Sequence, residues 1–417
     1  MTGGQITGSS NDRTGDPGSD EWPYTGLDMA ALRMAGWRPT PFRQFVVKLH
    51  SRCNLACTYC YVYSMGDSTW RSAPRVASPA TLAAVAGRIS EHVKRHHLES
   101  VDVVFHGGEP LLAGPHVLES AAEAMRRAVP PSCPVRLTVQ TNGLLLNEQL
   151  LAVLHRHRIR VGVSLDGPAE VNDRHRVYAD GRGSYAGVAR ALQLLRSPDH
   201  ASLYAGLLCT VDVRSDPVST YRSLLDLQPP MLDFLLPHGN WTTPPPLRDS
   251  RSGDPVYGRW LAAAFDAWIV RPGTRIRFFE QLLDGLLGGH SSSESVGISP
   301  VGVLVFDTAG RLEQVDSLRS VRHGAAAVGM DVHTHSLDDA LGHPGVVARQ
   351  IGTAALPDSC LECPVHQVCG AGFYPHRYRA GSGYRNPSVY CPDLLHLIRH
   401  IQRRIAAQLS ALVRSET

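Results

Sequence analysis

No stretch of this chain approaches the ~20 consecutive apolar residues of a membrane span, and its first residues lack the basic-then-apolar layout of a secretory signal. We therefore expect no membrane partner and a cytoplasmic location. A charge surplus is missing too: 41 basic against 38 acidic residues leave a net charge of +3. That balance gives no electrostatic ground for nucleic acid as a partner. No internal repeat of fixed period occurs. Cysteine is sparse, nine in 417 residues, and in a reducing compartment these do not form a disulfide framework. Seven of the nine fall into two groups, which is how metal ligands cluster. Cys133 and Cys209 stand apart and are expected as buried structural thiols in or beside strands.

The chain is 43% hydrophobic, enough to bury one large core and a smaller module. Residues 1–20 are rich in Gly, Ser, Thr, Asn and Asp and read as a disordered leader. From residue 45 onward, short β-branched runs alternate with helical periodicity, the pattern of βα units on a parallel sheet. Strands are expected at 45–50, 101–106, 135–141, 159–166, 203–211 and 232–237. Helices are expected between them, at 79–97, 116–128, 148–157, 185–196 and 219–227. Such a series gives an α/β fold, a partial (β/α)6 barrel over residues 41–241 with its chemistry at the carboxyl ends of the strands. A Pro-, Arg-, Asp- and Ser-rich linker then opens a helical stretch over 242–298. Residues 299–417 hold a hairpin turning at Ala309-Gly310, a cysteine-bearing loop region and a closing amphipathic helix.

Cys53-Asn-Leu-Ala-Cys57-Thr-Tyr59-Cys60 follows the first expected strand, so one loop presents three thiols. Three ligands on a four-iron cubane leave one iron open to chelate a second molecule. The alternative, a zinc knot, needs a fourth ligand such as His50. His106-Gly107-Gly108-Glu109-Pro110 ends the second strand; paired glycines admit close approach to backbone, and a carboxylate accepts a bond from an ammonium. Gln140-Thr141-Asn142-Gly143 and Ser164-Leu165-Asp166-Gly167-Pro168 place further polar groups on the same rim. Cys360, Cys363, Cys369 and Cys391 supply four thiols, enough to close a second 4Fe-4S cluster, and their unequal spacing departs from the paired knuckles of a zinc ribbon. Among the histidines, His92 and His96 read as a solvated helix face, His333 and His335 carry no role, and His238 is expected to line the substrate pocket.

The CxxxCxxC spacing, with aromatic Tyr59 before its last cysteine, resembles the radical SAM superfamily. That resemblance implies S-adenosyl-L-methionine on a 4Fe-4S cluster held by Cys53, Cys57 and Cys60. It implies cofactor contacts from Tyr59, Gly107, Gly108, Glu109, Asn142, Ser164 and Arg176, with Glu109 near the methionine amino group and Ser164 and Arg176 near the carboxylate. Asn172-Asp-Arg-His-Arg176 is similar to the HDxxR stretch of peptide-modifying members, with Asn172 in place of the usual histidine.

The second cysteine group resembles the SPASM extension, and we expect it to hold one auxiliary 4Fe-4S cluster. The full SPASM pattern has a cysteine five residues after a glycine, where this chain has Val315, and a CxxxC pair running on from Cys369, where it has Ala371, Gly372 and Phe373. Asp316 is placed like the proton acceptor proposed for sulfatase-maturing relatives; the alternative is a turn cap. Longer stretches, among them Lys48-Leu-His-Ser-Arg-Cys53, HGGEPLLAG from His106 and Gly372-Phe-Tyr-Pro-His-Arg-Tyr378, resemble the FxsB family of radical SAM/SPASM peptide maturases. This implies a ribosomally made precursor peptide, a three-residue cyclophane as product, and a flavodoxin- or ferredoxin-type electron donor. Thioether formation, epimerisation and formylglycine formation are the competing outcomes on the same clusters.

Overall fold

Each expected strand alternates or saturates with apolar residues, and a helix returns the chain to start the next strand in the same direction. In the computed structural model, which describes residues 20–249, 252–270, 273–291 and 293–415, all six are present. They are β1 (Gln44–His50), β2 (Val101–Gly107), β3 (Val135–Thr141), β4 (Ile159–Ser164), β5 (Tyr204–Thr210) and β6 (Met231–Leu235). Consecutive strands pair in parallel from β1 to β6. The leader expected at 1–20 lies outside the described residues except for Asp20.

Helix Pro79–His96 shows how the layers form. The Ser78 side chain accepts from the Thr81 amide and caps its start, and Leu82, Val85, Ala86, Ile89 and Val93 bury one stripe of its surface. That stripe belongs to the same core as Phe45, Val47 and Leu49 of β1 and Val101, Val103 and Phe105 of β2. Cys133 and Cys209 are buried in this core as well.

The carboxyl-terminal region differs from expectation in how it attaches. Its hairpin, β8 (Val303–Phe306) and β9 (Arg311–Glu313), forms no separate layer: β8 pairs in parallel with β1, Gln44 opposite Val303. A further strand, β10 (Ala327–Asp331), pairs antiparallel with β9. At the far edge, the two-residue β7 (Arg275–Ile276) pairs with β6 at the head of helix Arg277–Leu286. One ten-stranded sheet results, ordered β10-β9-β8-β1-β2-β3-β4-β5-β6-β7. The segments expected as core and appendage thus share a sheet, because the apolar β8 covers the edge that β1 would otherwise expose.

The closing helix Cys391–Ser415 lies against helix Val256–Val270. Gly258 permits the approach, since a Cβ there would stand 2.6 Å from the Asp393 carbonyl oxygen, and the Gly258 amide donates to Asp393 Oδ1 at 3.0 Å. Among the described residues, no helix is long and apolar enough to cross a membrane.

Candidate active site

The carboxyl ends of β1 to β6 surround a cavity of about 220 Å³. The three thiols of Cys53, Cys57 and Cys60 line it, and so do Tyr59, Gly108, Glu109, Asn142, Ser164 and Arg176. Residues named separately along the sequence are thus brought to one place. Gly107 lies just behind, and Asp316 lines an adjoining cavity.

The cysteine loop is fixed by backbone bonds to a distant segment. The Ala56 amide donates to the Val177 carbonyl at 2.8 Å and the Thr58 amide to the His175 carbonyl at 3.0 Å, which carries Arg176 into the cavity between them. The paired glycines seat the same loop against β2. A Cβ on Gly107 would stand 2.1 Å from the His50 oxygen, and one on Gly108 would meet Tyr63 Oη at 1.9 Å and the Arg52 oxygen at 2.5 Å. The Gly108 and Glu109 amides donate to the His50 and Arg52 carbonyls, each at 2.9 Å. Close approach of protein to protein, more than of ligand to backbone, is what requires glycine here.

Glu109 is 1% exposed and accepts from Thr141 Oγ1 at 2.6 Å, the Asn142 amide at 2.8 Å and the Leu111 amide at 3.0 Å. Burial raises its carboxyl, with these donors and the Arg176 charge pulling the other way. Arg176 donates to Tyr59 Oη at 2.9 Å, the Tyr59 hydroxyl donates to Asp166, and the Thr210 amide donates to Asp166 at 2.9 Å. Asp166 had no role assigned from sequence, although it stands in the motif that ends β4. Its carboxylate holds Tyr59 and balances the buried guanidinium. Among the described residues, Arg176 Nε has no partner. Ser164 Oγ accepts from Gln140 Nε2 at 3.0 Å.

These residues fit an iron-sulfur cluster with an amino-acid ligand. Zinc bound by thiolates at ~2.3 Å brings its sulfurs to within about 4 Å of one another. Among the described residues, however, the groups of three ligand atoms lying within 4.8 Å of each other include no cysteine, in either cysteine group. Wider spacing suits a polynuclear cluster. Burial pushes the Cys53 thiol up to about 12 and raises Cys57 and Cys60 as well, so thiolates here need a bound cation. A free carboxylate and a free ammonium on the cluster's ligand would find Arg176 and Glu109 already buried beside it.

Beyond Tyr61 lies a charged cluster that sequence reading missed apart from Asp316. Tyr61 Oη donates to Asp316 Oδ2 at 2.9 Å, Lys48 Nζ pairs with Asp316 Oδ1, and Arg319 Nε reaches the same oxygen at 3.1 Å. Lys48 also holds Glu313 at 2.8 Å, and Arg319 pairs with Glu313 and Asp67. Burial would raise the Asp316 carboxyl, but Lys48 and then Arg319 outweigh it and hold the group well below the usual carboxylate range. Asp316 caps no turn; its oxygens are taken by these side chains. One signal was available: Lys48 is one of only two lysines in the chain.

His238 lines both cavities, as expected. Its Nδ1 has no partner among the described residues, and burial lowers the ring to about 4, opposed by the Asp316 charge. The expected solvated face at His92 and His96 is corrected. His92 is buried, its Nε2 accepts from the Phe42 amide at 3.0 Å, and its Nδ1 meets Asp338 at 2.7 Å, which His96 Nε2 reaches at 2.9 Å. With both His92 nitrogens occupied, the group pins a helix to its neighbour and leaves His92 no free lone pair for a metal. Asn172 is buried, donating to Ser184 Oγ at 3.1 Å and accepting from the Asp166 amide at 3.4 Å; it supports the rim.

A family model described as the radical SAM superfamily matches residues 47–199. The cysteine-type anaerobic sulfatase-maturating enzyme of Clostridium perfringens is 28% identical over 265 residues, 61% of this chain and 68% of that protein. The serine-type anaerobic sulfatase-maturating enzyme of Klebsiella aerogenes is 25% identical over 360 residues, 82% of each. Among solved structures, native anSMEcpe with bound AdoMet aligns with a TM-score of 0.73 at 21% identity, over 87% of this chain and 98% of that one. Streptococcus suis SuiB bound to precursor peptide SuiA aligns at 0.58 and 14% identity, over 87% and 78%. At those identities the structural likenesses establish the fold.

Proposed function

We propose, from the premise that this chain is a radical SAM enzyme, that it removes a hydrogen from the side chain of a peptide or protein residue and oxidises that residue by two electrons. One observation carries the reading: three thiols on a single loop face a cavity that also holds a buried carboxylate, Glu109, and a buried guanidinium, Arg176. When bound, a 4Fe-4S cluster on Cys53, Cys57 and Cys60 together with S-adenosyl-L-methionine supplies a 5′-deoxyadenosyl radical. Cys360, Cys363, Cys369 and Cys391 would hold one auxiliary 4Fe-4S cluster, which would accept the electron left on the substrate after the hydrogen atom and the proton are removed, and a flavodoxin- or ferredoxin-type donor would deliver the electron that starts the reaction.

The chain's own groups divide the remaining work. Arg176 and Glu109 orient an amino acid's two charged ends. His238 accepts the proton lost from substrate at its unpartnered Nδ1, and Asp316 stays ionised and stabilises the imidazolium, as a buried carboxylate does for a catalytic histidine. A carboxyl held as low as that of Asp316 accepts hydrogen bonds well and protons poorly.

The sulfatase-maturating relatives favour oxidation of a serine or cysteine to formylglycine. A second reading, the three-residue cyclophane, is favoured by Val315 and Phe373, which put apolar surface beside the site at stretches where this chain lacks cysteines of the full SPASM pattern. Anaerobic incubation with a peptide carrying serine and, two residues before it, phenylalanine separates them by tandem mass spectrometry. Both products lose two hydrogens. Formylglycine is captured by a hydrazide and fragments between the two residues; the cyclophane does neither. Unchanged mass, with deoxyadenosine forming normally, would remove both readings.

A further inference from the structure

Beside the cysteine-lined cavity lies a second one of about 340 Å³. The two share Tyr61, Leu208, Leu235, Leu236 and His238, so they adjoin. A ligand pocket runs to ~300 Å³ or more, and this one adds room for a side chain beyond the space that faces the thiols. Its walls are mainly apolar, with Phe234, Phe278, Val303, Val305 and Leu394 among them. Val315, which stands where the full SPASM pattern has a cysteine, and Phe373, from the stretch Ala371-Gly372-Phe373 that lacks the pattern's later cysteine pair, come from distant parts of the sequence and line this same cavity. Both departures from the pattern therefore act at one place.

The charges within reach are already paired. Asp316 is held by Lys48 and Arg319, and Arg277 Nε donates to Asp233 at 2.8 Å. A charged guest would be desolvated without a free partner, at high cost. Rings stand at angles around the space: Tyr61 and His238 lie 4.7 Å apart at 66°, and Phe373 and His376 5.1 Å apart at 89°. Edges and faces are thus both presented, which an aromatic guest exploits beyond its buried area. Among the described residues, His376, 2% exposed, has no partner at Nε2; this nitrogen offers a hydrogen bond to the guest's peptide group.

We infer that this cavity is the specificity pocket for a large apolar side chain, aromatic by preference, in the peptide substrate. The inference rests on the peptide-modifying reading above and adds the chemistry of the residue recognised. Reconstituted holoenzyme with S-adenosyl-L-methionine is titrated calorimetrically with N-acetyl-phenylalaninamide and N-acetyl-alaninamide. Burying a phenyl group predicts roughly tenfold or more tighter binding of the first. Val303→Phe fills the pocket and should erase that preference, whereas Phe373→Ala enlarges it and should shift the preference to N-acetyl-tryptophanamide. Iron content reports folding; if Val303→Phe fails to retain its iron, Phe373→Ala decides the matter alone. Equal affinities in the unaltered enzyme, or a ranking unmoved by Phe373→Ala, overturn the pocket. If the unaltered holoenzyme neither binds nor cleaves S-adenosyl-L-methionine, it is the parent reading that fails.

Discussion

Lys48 sits between two carboxylates with its ammonium removed from water, so its neighbours decide whether it is stable there. Lys48 and Arg319 together face Asp67, Glu313 and Asp316. Lys48→Met would leave three buried carboxylates to one guanidinium, and breaking a buried pair in this way costs about 3–5 kcal/mol. Asp316→Asn leaves two charges of each sign and should cost much less. Denaturant unfolding of both variants checks that ordering. In turnover assays, Asp316→Asn should cut product at least about tenfold, as expected when a positioned charge is lost, while deoxyadenosine still forms; a parallel fall of both would remove Asp316 from the proton-transfer step. Another histidine sets a pH dependence away from the site. Burial lowers His343 from 6.5 to about 4, so between those values the unfolded chain binds the proton that the folded chain refuses. Stability contributed by neutral His343 is therefore present above about 6.5 and falls as pH drops toward 4. His343→Phe should flatten the fall in urea midpoint across that window; an unchanged slope would contradict the assignment. That the thiols of Cys53, Cys57 and Cys60 come together at one cavity was legible because the three lie within one short motif. The Lys48–Asp316 pair was not, because burial and distant pairing leave no local pattern.

Among elements, the loop after β1 and the turn after β2 act as one unit. Gly108→Ala would drive a methyl into Tyr63 Oη and the Arg52 carbonyl, and the loop would have to shift with its cysteines. Iron bound per chain after anaerobic reconstitution should fall for Gly108→Ala and hold for Gly181→Ala, where a Cβ meets nothing within 4 Å, although its positive φ adds some local strain. Equal iron content in both would show that the close approach does not matter to the cluster. Elements with strong period and caps were readable in advance: β1 to β6, and the helix begun by Ser78 and Pro79. β7, at two residues, and β10, interrupted by Gly329 at φ 76°, carry too little apolar pattern to stand out. Pairing with a neighbour makes them strands.

For the whole molecule, the parallel sheet passes through what sequence divided into core and appendage. A chain ending at residue 298 would lose β8 and uncover the edge of β1 from Gln44 to Val47, and an exposed apolar edge seeks another strand. Such a truncation should aggregate on size-exclusion chromatography; a soluble monomer would mean that the division at 298 is a true domain boundary. The fold class was legible because βα alternation has few solutions. The shared sheet was not, because pairing between β1 and β8 depends on distant contacts. The proposed function puts the chemistry on an incompletely ligated cubane at Cys53, Cys57 and Cys60. Mössbauer spectroscopy of anoxic, isotopically enriched protein, with and without S-adenosyl-L-methionine, tests that most directly. Two cubane clusters should be present, one alone should respond to the ligand, and Cys57→Ala should remove the responding one. Mononuclear iron at the triad, or no cluster that senses the ligand, would contradict it.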